Sequence, residues 1–266
     1  MKIIHVWDQA AVACTLSKYQ KKIGHDSIVV KRNGYDPHRI MDFYKEKTLN
    51  VKFNKIFNWL VVQKAKNFDI IHIHDHFRLS EILRKKYPKK KIILHYHGSV
   101  LRLTPRKILE KYENKVDCIL VSTPDLLDFV DATYLPNPID MEHFSPRKVS
   151  ENGKTISFMS KFESQDLLEK LLEKNKISLK VNFHDRTKNP VNYYNMPEYL
   201  SQFEYLIDLK LVYNHNPAPA YSCLGLQALS LGLKVVNYNF KIENKFPVQH
   251  KPETVINQLM KIYGSI

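Results

Sequence analysis

The chain has 266 residues, 44% of them hydrophobic and 26% charged, with a formal net charge of +14. That length suits two domains, each able to bury a core, and the composition excludes a disordered or collagen-like chain. No window approaches the run of about 18 apolar residues of a membrane helix. The opening Met1-Lys2-Ile3-Ile4-His5-Val6 is too short for a signal peptide, so a cytoplasmic protein is expected, free or peripheral at a membrane.

Strand-length apolar runs alternate with helical patterns. Lys2–Val6 is a strand, and Val12, Leu16, Tyr19 and Ile23 then share one helical face that Gly24 closes. Ser27–Val30 is a strand, and Lys31–Thr48 is poorly patterned. A helix carrying Phe53, Ile56, Phe57, Leu60 and Val61 leads to the strand Asp69–His74, then the helix Leu79–Tyr87 and the strand Lys91–Tyr96. Thr104-Pro105 and Thr123-Pro124 read as helix starts, with Thr as N-cap and Pro at the first helical position. Asp117–Val121 and Ala132–Leu135 complete six strands, enough for a doubly wound parallel sheet.

Pro136-Asn137-Pro138 breaks the pattern and marks a domain boundary. Beyond it come the strand Thr155–Met159, the helix Leu167–Leu172, the strands Ile177–Phe183 and Tyr205–Leu209, the helix Ser222–Leu231, the strand Lys234–Val236 and the terminal helix Pro252–Tyr263. The expected architecture is α/β: two Rossmann-like domains, 1–138 and 139–266, facing a cleft, with the C-terminal helix packing back on the first domain.

Residues 1–140 carry 25 Lys and Arg against 15 Asp and Glu, an excess of +10; the remainder carries 16 against 12, or +4. The basic half favours anionic partners. Its densest run, Arg84-Lys85-Lys86-Tyr87-Pro88-Lys89-Lys90-Lys91, is either a solvated face or a contact with an anionic membrane surface. No stacking-aromatic or recognition-helix signature accompanies the charge, and no nucleic-acid partner is expected. Cys14, Cys118 and Cys223 form no CxxC pair and read as small buried hydrophobes.

Three segments carry candidate chemistry. Ser222-Cys223-Leu224-Gly225-Leu226-Gln227 opens a helix that is either an ordinary capped core helix or, through its amides and dipole, a diphosphate site. Asp69–His76 and Ile92–Ser99 end strands in polar residues, where parallel sheets bind ligands. Their alternate histidines match no fixed metal-ligand spacing, so His72 and His95 are expected within strands, satisfied by local hydrogen bonds, and no metal site is expected. Leu135–Pro146 is a turn-rich linker.

In this order, these segments resemble the landmarks of GT-B glycosyltransferases of family 4. "DIIHIHDH" is similar to the family's strand-end segment, "HYHGS" to the segment bearing its active-site histidine, and "LPNPIDMEHFSP" to its interdomain linker. "LGLQALSLGLKVV" resembles the nucleotide-binding segment, and "DQAAVACTLSKYQKKIGHDSIVV" the opening loop, helix and strand. The resemblance implies transfer of a sugar from a nucleotide-sugar donor, with retention and without an obligatory metal or other cofactor. It makes His97 the active-site histidine. Lys161, Ser222, Cys223 and Leu224 would hold the donor diphosphate and Gln227 its ribose, while Asp8, Gln9, His74 and Asn137 would line the acceptor side or cleft. A lipid-linked acceptor would give the cluster Arg84, Lys85, Lys86, Lys89, Lys90 and Lys91 a use.

The chain departs from the family pattern where chemistry is concentrated. Gln227 and Pro219 stand where the family has two glutamates, and Lys161 stands where it has arginine. Gln165-Asp166 replaces an expected lysine, and Ala10-Ala11 replaces a glycine pair. Gln hydrogen-bonds a hydroxyl but supplies no carboxylate, and Lys lacks the bidentate fork of Arg. The alternative is therefore a catalytically inactive GT-B scaffold that binds a nucleotide, a glycan or a partner subunit.

Overall fold

The computed structural model describes residues 1–159, 164–211 and 217–266. The chain divides into two compact units, Met1–Pro138 with Lys251–Ile266, and Ile139–His250.

In the first unit the elements run β1 (Lys2–Val6), α1 (Val12–Lys22), β2 (Asp26–Arg32), α2 (Ile40–Phe43), β3 (Lys47–Leu49), α3 (Asn54–Ala65), β4 (Ile70–His74), α4 (Leu79–Lys86), β5 (Lys91–Tyr96), α5 (Ser99–Leu103), α6 (Arg106–Glu113), β6 (Cys118–Val121) and β7 (Thr133–Tyr134). The strands form one parallel sheet in the order β3-β2-β1-β4-β5-β6-β7. This is doubly wound, and its order reverses between β1 and β4.

Successive strand residues point to opposite faces, and the two faces of this sheet differ. Ile4, Val6, Ile71, Ile73, Ile92, Leu94 and Tyr96 pack with Phe57, Val61 and Ala65 of α3, Leu79 and Leu83 of α4 and Leu109 of α6. The other face carries histidine. His5 pairs in register with His72, and His74 with His95. All four are fully buried.

The second unit runs β8 (Thr155–Met159), α7 (Gln165–Lys174), β9 (Val181–Asp185), α8 (Met196–Leu200), β10 (Tyr205–Ile207), α9 (Cys223–Leu231), β11 (Lys234–Val236) and β12 (Ile242–Glu243). Its sheet order is β12-β11-β10-β8-β9, parallel except for the antiparallel β11–β12 edge. Leu168 and Leu172 of α7 pack on Ile207, Leu209 and Val236. Helix α9 is buried from Gly225 to Leu231, and Gly232 closes it at φ +101, in the left-handed region that glycine tolerates.

The terminal helix α10 (Pro252–Ser265) belongs to the first unit, so the range expected for the second domain loses its last helix. Tyr263 explains this. It is fully buried and meets the Nδ1 of His72 at 2.7 Å, while its carbonyl accepts from Lys91 Nζ at 2.8 Å.

Other differences from the sequence reading are local. β3 lies in the stretch that showed no pattern; it is a three-residue edge strand with no buried residue. Thr104 does not cap α6: its amide closes α5 on the carbonyl of Val100, and α6 starts after Pro105. Thr123-Pro124 opens only a short 3-10 turn, and the Thr123 hydroxyl accepts from Arg102 at 3.3 Å.

Candidate functional site

Two polar constellations stand at carboxyl ends of parallel strands, one in each unit. In open sheets that edge binds ligands, where the strand order reverses.

In the first unit, β1 and β4 flank the reversal. The Nε2 of His97 meets Nδ1 of His74 at 2.8 Å, and His74 Nε2 meets His5 Nδ1 at 3.0 Å. His5 Nε2 reaches Gln20 Oε1 on α1 at 2.9 Å. The backbone is tied at the same place. Asp75, at φ +56, donates its amide to the His95 carbonyl, and its Oδ1 accepts from the His97 amide at 2.9 Å.

Burial dominates the electrostatics. It lowers His5 to about 4, and it holds His72, His74 and His95 well below the usual imidazole range, with repulsion between neighbouring imidazoles adding to it. His5, His72, His74 and His95 are therefore neutral at pH 7. Two triads, His5-His72-His74 and His74-His95-His97, have potential metal-ligand atoms within 4.8 Å of one another.

The sequence-predicted residues of this unit separate by role. His97 is half-buried at the end of the histidine chain. His74 is fully buried between His5 and His97, so it forms no wall exposed to a substrate. His95 is not satisfied by local hydrogen bonds, because neither ring nitrogen has a partner. Asp8 is buried and serves α1: its oxygens accept from the amides of Ala11 and Cys14, each at 3.1 Å. Burial raises its carboxyl above the usual range, against the pull of Lys31. Gln9 is half-buried and gives its carbonyl to the Val12 amide. Asn137 is buried. Ala10 and Ala11 adopt φ +51 and +69, the region that glycine favours.

The basic cluster also divides. Arg84 pairs with Asp117 at 2.6 Å and donates to the carbonyls of Lys115, Pro88 and Lys90. Lys90 donates to the carbonyls of Lys66 and Phe68, and Lys91 to that of Tyr263. These three cations hold the fold together. Lys85, Lys86 and Lys89 are exposed.

In the second unit the reversal lies between β8 and β10, and the residue before α9, Ser222, bonds Asp208 directly after β10. Ser222 caps α9 as its sequence suggests, its hydroxyl accepting from the Gly225 amide at 3.0 Å. Ser222, Cys223 and Leu224 are half-buried, and Gln227 is buried one turn on. Lys161 lies outside the described residues, and Pro219 is exposed.

Sequence reasoning missed Asp208. This carboxylate follows β10, is 6% exposed, and accepts from the Ser222 amide at 2.9 Å. A side chain at residue 225 would collide with it, so Gly225 makes room for the carboxylate. An acidic residue directly after a buried strand was the available signal, since that position is a carboxyl end of the sheet. The helix start therefore already holds a negative charge, which suits the macrodipole.

No protein-family model matches the chain, and no curated protein matches it in sequence. Solved structures do match in fold. An alpha-glucosyltransferase in complex with UDP superposes with a TM-score of 0.60 at 10% identity, covering 88% of this chain and 80% of that one. The alpha-glucosyltransferase in complex with UDP and a 13-mer DNA containing a central A:G mismatch gives 0.58 at 12% identity, over 88% of this chain and 78% of that one. The UDP-GlcNAc 2-epimerase from Neisseria meningitidis bound to UDP-GlcNAc gives 0.54 at 12% identity, over 99% of this chain and 92% of that one. The chain accordingly has an α/β fold of two Rossmann-like units, of the GT-B type.

Proposed function

We propose that the chain is a glycosyltransferase of the family 4 kind, taking a sugar from a nucleotide-sugar donor with retention. The reading rests chiefly on Ser222. Its capped helix opens beside the carboxyl end of β10, next to the order reversal of the second sheet, and leaves a half-buried first turn. Ser222, Cys223, Leu224 and Lys161 take the diphosphate, and Gln227 takes the ribose. Negative charge develops on that diphosphate as the sugar departs, and fixed donors stabilise it without reorganising. His97 acts near the transferred sugar. The solved structures holding UDP or UDP-GlcNAc on the same fold support a nucleotide-sugar ligand.

One observation favours a second reading, a scaffold that binds without transfer. Asp208 sits at the helix start where the diphosphate would approach, and like charges there oppose each other. Gln227 and Pro219 also remove the two carboxylates that the family carries.

A thermal-shift panel of UDP-, GDP- and ADP-sugars tests the proposal. A ligand that prefers the native state raises apparent stability by mass action, about 2.7 kcal/mol at a hundredfold excess over Kd. One nucleotide sugar should raise the melting temperature and then be consumed when acceptors are supplied. Stabilisation without consumption supports the scaffold; no stabilisation by any of the panel contradicts both.

A further inference from the structure

The histidine face of the first sheet has an order of protons that its partners dictate. Gln20 Oε1 only accepts, so His5 Nε2 carries a proton and His5 Nδ1 a lone pair. His74 then donates from Nε2 to His5, which leaves the lone pair of its Nδ1 directed at His97. Ser27 donates to the same Gln20 oxygen at 2.7 Å and fixes its orientation.

His95 lies beside this chain on β5. It is fully buried, its ring is 5.4 Å from that of His74 and 4.2 Å from that of His97, and neither of its nitrogens has a hydrogen-bond partner. A neutral imidazole offers one N–H and one lone pair, and burying both unpaired is costly. Leucine or phenylalanine would fill the position without that cost. The arrangement thus calls for a ligand.

We propose that His74, His95 and His97 form a three-histidine site for a divalent transition-metal ion of the zinc class. Imidazole nitrogen suits such ions. Zinc bonds to nitrogen are about 2.0–2.1 Å long, which sets tetrahedral ligands about 3.3 Å apart. The three ligand atoms lie within 4.8 Å of one another, and turning the His95 and His97 rings toward the held His74 closes the site. Half-buried His97 opens it to solvent and leaves a fourth position for water.

The surroundings are those of a metal ligand set. His74 gives its lone pair to the ion while its N–H is held by His5, which Gln20 holds in turn, an outer shell that fixes tautomer and ring angle. Asp75 clamps the backbone between His95 and His97. The neighbouring triad His5-His72-His74 is the weaker choice. Both nitrogens of His5 and the Nδ1 of His72 are already bonded to Gln20, His74 and Tyr263, and all three histidines are closed off from solvent.

This site lies in the first unit and does not depend on the glycosyltransferase reading. His97 is common to both, and separate titrations with metal and with nucleotide sugar keep the two apart. The full chain, free of affinity tags and stripped with a chelator, is titrated with zinc chloride by calorimetry and with cobalt(II) by its visible absorption. One equivalent should bind, with the intense absorption of a four-coordinate cobalt site. His95→Gln and His97→Ala should each weaken binding at least about tenfold and abolish that absorption. His72→Gln should change affinity by less than about threefold. Circular dichroism checks folding, and if His95→Gln does not fold, His97→Ala decides alone. The assignment is overturned if neither ion binds, if both variants bind like the parent, or if His72→Gln alone removes binding.

Discussion

The carboxylate of Asp208 accepts a hydrogen bond from the Ser222 amide at 2.9 Å, at the helix start to which the proposed function brings a diphosphate. On that proposal the two anions would compete for the same positive helix end. Asp208→Asn keeps an oxygen for the amide and removes the charge. The variant should lose about 0.3–1 kcal/mol of stability with the helix-dipole interaction. It should bind UDP or GDP about tenfold more tightly, equivalent to about 1.4 kcal/mol. Calorimetry and urea unfolding measure the two effects, and a weaker-binding variant would mean that Asp208 helps to hold the ligand.

His97 ends the chain of ring contacts from Gln20 and is half-buried. In metal-free protein, His97→Ala should leave the circular dichroism spectrum unchanged and lower sugar transfer by at least about tenfold, as loss of a general acid-base or positioning group does. A fully active variant removes the role; an unfolded one makes His97 structural.

The buried histidines make stability depend on pH. Their folded-state pKa values are lowered, so between about 4 and 6.5 for His5 the unfolded chain binds the proton and the folded chain does not. Stability is at its full value above pH 6.5 and falls as pH drops through that window. The slope is up to about 1.4 kcal/mol per pH unit for each such histidine. Asp8, raised by burial, acts in the opposite direction at lower pH. Urea unfolding with a chelator present, at pH 7.5, 6 and 5, should show falling midpoints; constant midpoints would mean that the cluster accepts protons while folded.

The membrane reading now rests on Lys85, Lys86 and Lys89, since Arg84, Lys90 and Lys91 are bonded within the fold. No helix among the described residues is long and apolar enough to cross a membrane. Each exposed cation near an anionic surface is worth about 1 kcal/mol and is screened by salt. The chain should pellet with anionic vesicles at low salt and not with neutral ones, and the triple Lys→Glu variant should stay in solution. Lys90→Glu should instead lower the melting temperature. Equal pelleting with both lipids, or with neither, contradicts a surface contact.

Much of the fold was legible because the central strands of the first sheet are parallel and buried. β4 is mostly isoleucine, β5 carries the apolar run Ile92-Ile93-Leu94, and α9 is bracketed by Ser222 and Gly232. β3 and β12 were not legible, being short edges with little burial and hence no hydrophobic period. The alternation of His72, His74, His95 and His97 was visible, but its meaning was not. That depends on Gln20, which covers the ring of His5, and on Tyr263, 191 residues from His72. Asp208 was hidden for a similar reason, because the amide it serves lies 14 residues away in the chain.

The central claim is that the start of α9 holds a nucleotide sugar. Its most direct test is calorimetric titration of the stabilising nucleotide sugar into the parent chain, Ser222→Ala and Lys161→Ala. Losing a charge-assisted contact to the diphosphate costs about 1.5–3 kcal/mol, and both variants should lose affinity by roughly that amount. Melting curves should show that Ser222→Ala costs only about 1 kcal/mol of stability, the usual loss of an N-cap. Parent-like affinity in both variants would contradict the account and move the ligand elsewhere.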